Sequence, residues 1–115
     1  MRRPRILIVD DDRNARDALR ELLADAGWEV ETASSACEAL ALVDRFAPSV
    51  LLTDWRMPKI DGRQLAEAIG KERAPEVVFM SAWPPPSGEQ RPWLAKPLDV
   101  GALLTTIGHL VALRA

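Results

Sequence analysis

A chain of 115 residues can build one compact domain around a single core, residues 1–115, and has no room for a second. Its 15 basic and 17 acidic residues leave a formal net charge of −2, which gives no electrostatic footprint for nucleic acid. No apolar run approaches the roughly 18 residues of a membrane span, and the N-terminus lacks the apolar stretch and cleavage site of a signal peptide, so a cytoplasmic protein without a membrane partner is expected.

Arg2, Arg3 and Arg5 open the chain and read as a solvated tip. Arg5-Ile6-Leu7-Ile8-Val9 is a short apolar run ending in Asp10, Asp11 and Asp12, the pattern of a buried parallel strand. Ala15, Ala18, Leu19, Leu22, Leu23 and Ala26 recur at three- and four-residue steps, so they form one helical stripe, closed by Gly27. Trp28-Glu29-Val30-Glu31-Thr32-Ala33 alternates as an outer strand does. Ser35 and Glu38 have the spacing of a capping box, ahead of a second helix buried through Ala36, Ala39, Leu40 and Val43. Cys37, the lone cysteine, has no partner for an internal disulfide and is expected as buried filler early in that helix.

A second apolar run, Leu51-Leu52-Thr53, ends in Asp54 and is shut off by Pro58. Beyond Asp61-Gly62, a short helix on Leu65, Ala66 and Ile69 stops near Gly70, and Glu76-Val77-Val78-Phe79-Met80 is the fourth strand. Residues 81–92 carry four prolines and no helical period, so no helix fits there and an exposed loop is expected from Trp83 to Pro92. Trp93-Leu94-Ala95 is a short fifth strand, and Asp99 caps a last helix with the stripe Val100, Leu103, Leu104, Ile107, Leu110 and Val111. His109 lies off that stripe as a solvated side chain.

Strands alternating with helices imply an α/β fold with a doubly wound, five-stranded parallel sheet of order 2-1-3-4-5. About eleven residues of extended polyproline backbone reach roughly 34 Å, longer than the roughly 17 Å of a five-residue strand, so the fourth and fifth strands can stay parallel without a helix between them. In that order Asp10, Asp11 and Asp54 converge at one sheet edge, a hard oxygen donor set suited to a divalent cation.

Val9-Asp10-Asp11, Asp54 followed by Met57-Pro58, Asp61-Gly62, Ser81-Ala82 and Lys96-Pro97 occur in this order at strand ends, and together they closely resemble the receiver domain of two-component response regulators. The resemblance covers nearly the whole chain and implies the flavodoxin-like, CheY-like fold. It implies that Asp54 takes a phosphoryl group from a phosphohistidine on a sensor histidine kinase or phosphotransfer protein. Mg²⁺ would be held by Asp11, Asp54 and the backbone carbonyl of Arg56, with Asp10 acting behind these ligands. Lys96 would be the cation that pairs with Asp54 and then with the phosphoryl group, Ser81 a hydroxyl donor to it, and Trp93 the switch aromatic. Lys96-Pro97 is a candidate cis bond.

One departure stands out, because receivers normally carry a fourth helix between the Ser and Lys positions, where this chain has prolines. Large Arg56 and Trp83, each two residues beyond a site residue, are placed to screen the phosphoryl group from water. The leading expectation is a stand-alone phosphorylatable receiver that switches partner binding, not an enzyme beyond catalysing its own phosphoryl transfer and slow autodephosphorylation. A receiver-shaped binding module working without phosphorylation is the alternative. A third class, a dehalogenase-type phosphatase with Asp10 as nucleophile and Asp12 as acid, usually adds a cap domain for which there is no room.

Overall fold

The computed structural model describes residues 3–70 and 75–113. Five strands, β1 (Arg5–Val9), β2 (Glu29–Ala33), β3 (Val50–Asp54), β4 (Glu76–Ser81) and β5 (Trp93–Ala95), form one parallel sheet in the order β2-β1-β3-β4-β5. Among the described residues, four helices accompany it: α1 (Arg13–Asp25), α2 (Ala36–Phe46), α3 (Gly62–Ile69) and α4 (Val100–Leu113). This is the doubly wound, flavodoxin-like order read from the sequence. Residues 82–92, between β4 and β5, carry bends and a turn and neither helix nor strand.

Strand alternation sorts the core into two layers. Ile6, Ile8, Val50, Leu52, Val78 and Met80 meet Leu19 and Leu23 of α1 and Leu103, Ile107 and Leu110 of α4. Leu7, Val9 and Leu51 face the other way, onto Ala36, Ala39, Val43 and Phe46 of α2 and Leu65 of α3. Burying each large aliphatic side chain contributes about 1.5–3 kcal/mol, so the central strands anchor the sheet edge where their terminal acids sit. β3 is buried along its whole length, as a middle strand covered on both faces must be.

The helix starts come from local side-chain acceptors. Asp12, Ser35, Asp61 and Asp99 each accept a backbone N–H of the first turn, from Asn14, Glu38, Gln64 and Ala102 respectively. The reciprocal capping box is at Asp61 and Gln64, whose side chain accepts the Asp61 N–H. At Ser35 only half of the expected box forms, because the Glu38 carboxylate accepts instead from the Ser34 hydroxyl at 2.8 Å.

Several side chains depart from their sequence reading, among them Ala18 and Ala26, which the spacing puts in the apolar stripe of α1 and which are exposed. Arg5 is no solvated tip: its guanidinium pairs with Glu29 at 3.2 Å, donates to the Phe46 carbonyl at 2.9 Å and lies over the Phe46 ring. Arg3 is exposed, and Arg2 lies outside the described residues. Cys37 is exposed, one position off the stripe that α2 buries. Val100 is half exposed, since α4 turns its buried face only from Leu103 onward. His109 is exposed as expected.

The segment after β3 returns tightly. Gly62 donates its N–H to the Trp55 carbonyl at 2.9 Å, and a Cβ at Gly62 would stand 2.3 Å from the Asp54 carbonyl oxygen and 3.3 Å from the Phe79 ring. Gly62→Ala must therefore push α3 away from the end of β3, and a loss of about 1–3 kcal/mol in urea unfolding is expected. Gly108→Ala, in α4 with nothing within 4 Å of the added carbon, should instead gain roughly 0.5–1 kcal/mol. Equal effects at the two sites would show that the close approach at Gly62 is not a constraint.

Candidate phosphoacceptor site

β1 and β3 are neighbours with Val9 opposite Thr53, so the residues that follow these partners, Asp10 and Asp54, emerge side by side. Both are buried, at 0% and 5% exposure. The turn into α1 is tied to Asp10: its Oδ1 accepts the Asp12 N–H at 2.9 Å, and its backbone carbonyl accepts from Arg16 Nη1 at 2.8 Å. Asp12 spends its own side chain on capping α1. Asp11, between them, is exposed.

The cation comes from the far side of the sheet. Lys96 follows β5, its N–H donates to the Ser81 carbonyl at 2.8 Å, and the Lys96–Pro97 bond is cis. Its ammonium pairs with Asp54 Oδ1 and lies 3.5 Å from Asp10 Oδ2. Burial, together with the hydrogen bond and negative charge of Asp10, raises the Asp54 carboxyl from its ordinary 3.8 to about 7 against the opposing pull of Lys96. Burial alone would lower the Lys96 ammonium, yet its contacts with Asp54 and Asp10 outweigh that and hold it above its ordinary value, so it stays charged.

One carboxylate oxygen each from Asp10, Asp11 and Asp54 lies within 4.8 Å of the others. Two ligands of an octahedral Mg²⁺ at 2.0–2.1 Å stand about 3 Å apart when adjacent and about 4 Å when opposite, so the cluster has the chemistry and nearly the spacing for such an ion. Three acids against one lysine also leave negative charge to be neutralised there.

These groups line a pocket of about 220 Å³ together with Arg56, Ser81 and Trp83. The Ser81 hydroxyl is buried and accepts the Trp83 N–H at 3.0 Å, and the Arg56 guanidinium lies 5.7 Å from the Trp83 ring centroid. Trp93 does not line this pocket. Its ring packs on Trp55 and Phe79 at 5.0 and 5.8 Å, and its Nε1 donates to the Trp83 carbonyl at 3.0 Å. Sequence reasoning missed Arg16, which has no positional signal, and placed Trp55 beside the site without its packing on Phe79 and Trp93. Asp10 has Oδ1 bonded to the Asp12 N–H and Oδ2 facing Lys96, and Asp12, the acid of the phosphatase reading, caps α1 with its side chain.

The raised Asp54 carboxyl sets a pH dependence. Between about 3.8 and about 7 the folded protein keeps a proton that the unfolded chain releases, so this contribution to stability is full below the lower value and lost as pH rises through the upper one. Asp54→Asn, neutral throughout, removes it. In EDTA, wild type should therefore lose on the order of a few kcal/mol relative to Asp54→Asn from about pH 4 to about pH 8. A difference that ignores pH in urea unfolding would contradict the burial and crowding described.

Comparison with known proteins gives the same picture. The response regulator receiver domain family matches residues 6–107. An uncharacterized response regulatory protein of Vibrio cholerae serotype O1 is 35% identical, over 91% of this chain and 47% of that protein. Response regulator MprA of Mycobacterium leprae is 43% identical over 56% of this chain and 28% of its own length. The chain thus spans half or less of these curated relatives. Among solved structures, the Vibrio cholerae chemotaxis protein CheY4 superposes with a TM-score of 0.86 at 27% identity, covering 94% of this chain and 98% of that one. The receiver domain of the hybrid histidine kinase CckA gives 0.80 at 31% identity, covering 92% and 97%. With the family match running from β1 into α4, over a fold and an acidic strand-end cluster of the same kind, this chain belongs to the response regulator receiver domains.

Proposed function

We propose that the chain is a phosphorylatable signalling receiver whose acceptor is Asp54, charged by a sensor histidine kinase or phosphotransfer protein in the cytoplasm. The observation that carries this reading is the Asp54 carboxylate, buried at the end of β3, paired with Lys96 and crowded by two further acids. In the step proposed, an Asp54 oxygen forms the new bond to phosphorus while the bond from phosphorus to the donor imidazole breaks. The electron pair returns to that nitrogen, which takes up a proton.

Asp11, Asp54 and the Arg56 carbonyl would hold Mg²⁺, whose charge neutralises the phosphoryl oxygens when bound. Asp11 suits this role because, among the described residues, no hydrogen bond or ion pair occupies its carboxylate, whereas the oxygens of Asp10 already face Asp12 and Lys96, so Asp10 steadies the site from behind. Lys96 exchanges Asp54 for a phosphoryl oxygen. Ser81 accepts from Trp83 and so keeps its own proton free to donate to the phosphoryl group. Arg56 and Trp83, in contact over the mouth, shield the product from water and lengthen its life.

Transmission runs through a short chain of bonds. Ser81 Oγ holds the Trp83 N–H and the Trp83 carbonyl holds the Trp93 indole, so drawing Ser81 toward Asp54 displaces residue 83 and lets Trp93 repack on Trp55. Residues 82–92, standing where the family resemblance implies a helix, would then be the surface a partner reads.

Millimolar Mg²⁺ should raise the melting temperature relative to EDTA at matched ionic strength, by about 1.4 kcal/mol of stabilisation at ten times Kd, and change Trp55 fluorescence. Identical melting in the two conditions would remove the metal site. With a small phosphodonor and Mg²⁺, wild type should incorporate label, Asp54→Ala none, and Lys96→Ala should still bind Mg²⁺ while failing to change loop exchange on phosphorylation. Incorporation at the wild-type rate into Asp54→Ala would move the acceptor elsewhere, and none into wild type would favour a receiver-shaped module that works without phosphate.

A further inference from the structure

The run Trp83-Pro84-Pro85-Pro86 is exposed throughout, with Trp83 at 61%. Each of its first three residues precedes a proline, which disfavours the helical region, and each proline has its φ set near −65°, so beyond the bend at Trp83 residues 84–86 favour extended polyproline geometry. Such a segment has no internal hydrogen bonds and loses little freedom when bound. Among the described residues, no bond occupies the carbonyls of Pro84 and Pro85 or the Trp83 indole N–H.

Both ends of the run are tied to the body of the domain. Trp83 is held through its N–H by Ser81 and through its carbonyl by Trp93, and its ring rests against the Arg56 guanidinium. At the other end the Pro86 carbonyl accepts the Glu89 N–H at 3.2 Å, and Glu89 is locked to Arg91 by hydrogen bonds of 3.0 Å. A rigid, pre-extended ligand with free acceptors and an aromatic head is thus presented from fixed points.

We propose that residues 83–86 are a polyproline ligand for a partner protein with an aromatic-lined groove, whose indole or phenol donors take the Pro84 and Pro85 carbonyls and which seats the Trp83 ring at one end. This deepens the receiver reading by naming the class of partner, and rests on it only for the idea that docking follows the state of the site. A lipid surface is the weaker fit, because the segment carries one large apolar side chain, no basic amphipathic helix, and belongs to a chain of net charge −2.

The test titrates purified SH3, WW and EVH1 domains into isotopically labelled full chain and follows its amide and indole signals. At least one domain should move the Trp83 indole signal and the amides of Ala82, Trp83, Ser87 and Gly88, while those of β1 and β3 stay in place. Pro84→Ala with Pro85→Ala should weaken that binding roughly tenfold or more and leave labelling of Asp54 by a phosphodonor unchanged. No shift with any domain at millimolar concentration, a shift that survives both substitutions, or a response to phosphatidylserine vesicles in place of the domains would overturn the proposal. Loss of labelling with docking intact would instead count against the receiver reading alone.

Discussion

The ammonium of Lys96, set between the carboxylates of Asp54 and Asp10, is the contact on which the strand-end site depends. Two acids with almost no exposure cannot both stay ionised at neutral pH without a nearby positive charge, and even with Lys96 in place burial and the neighbouring Asp10 raise Asp54 to about 7. The fold supplies that charge from the opposite end of its sequence. Because β4 separates β3 from β5, Lys96 must reach across the Ser81 end of β4, and its backbone bond to the Ser81 carbonyl fixes the height from which it reaches. The site is therefore as much a property of strand order as of any one residue.

On one face β5 joins the core through Leu94, with Leu103 and Ile107 of α4, and beside it stands an aromatic cluster. Phe79 and Trp93 stand opposite each other on β4 and β5, Trp55 packs edge-on against Phe79 at 4.9 Å, and the Arg91 guanidinium lies 5.0 Å from the Phe79 ring. Three aromatic side chains and a paired arginine cover this edge of the sheet. Large rings suit this role because each removes much apolar area from water with few rotamers to order. The arrangement also places the aromatic cluster directly behind Asp54, since Trp55 is the next residue in the chain.

Much of this was legible before any coordinates. Apolar runs ending in acid gave β1 and β3, three- and four-residue periods gave the helices, and four prolines ruled out a regular helix over residues 81–92, because each of these signals acts through neighbours close in sequence. Arg5 was misread for the opposite reason: Glu29 and Phe46, which hold it, come near only once β1 and β2 pair and α2 packs. Cys37 and Val100 were misplaced by one helical step each, an error that periodicity at a helix's first turn cannot resolve. The capping box of α3 was written in Asp61 and Gln64 but masked by the Asp61-Gly62 pair, which reads first as a turn. Arg16 left no trace, since its partner is a backbone carbonyl that any residue would offer.

On the proposed reading the crowded carboxylate at the end of β3 is the nucleophile, and not its neighbours on β1. Borohydride reduction of the chain after exposure to a phosphodonor and Mg²⁺, followed by peptide sequencing in the mass spectrometer, reads the modified residue directly, because only an acyl phosphate is reduced to the alcohol. The reduced side chain is expected at position 54, with unaltered acids at Asp10, Asp11 and Asp12. Reduction at any of those three, or none anywhere under conditions in which Mg²⁺ binds, would contradict it.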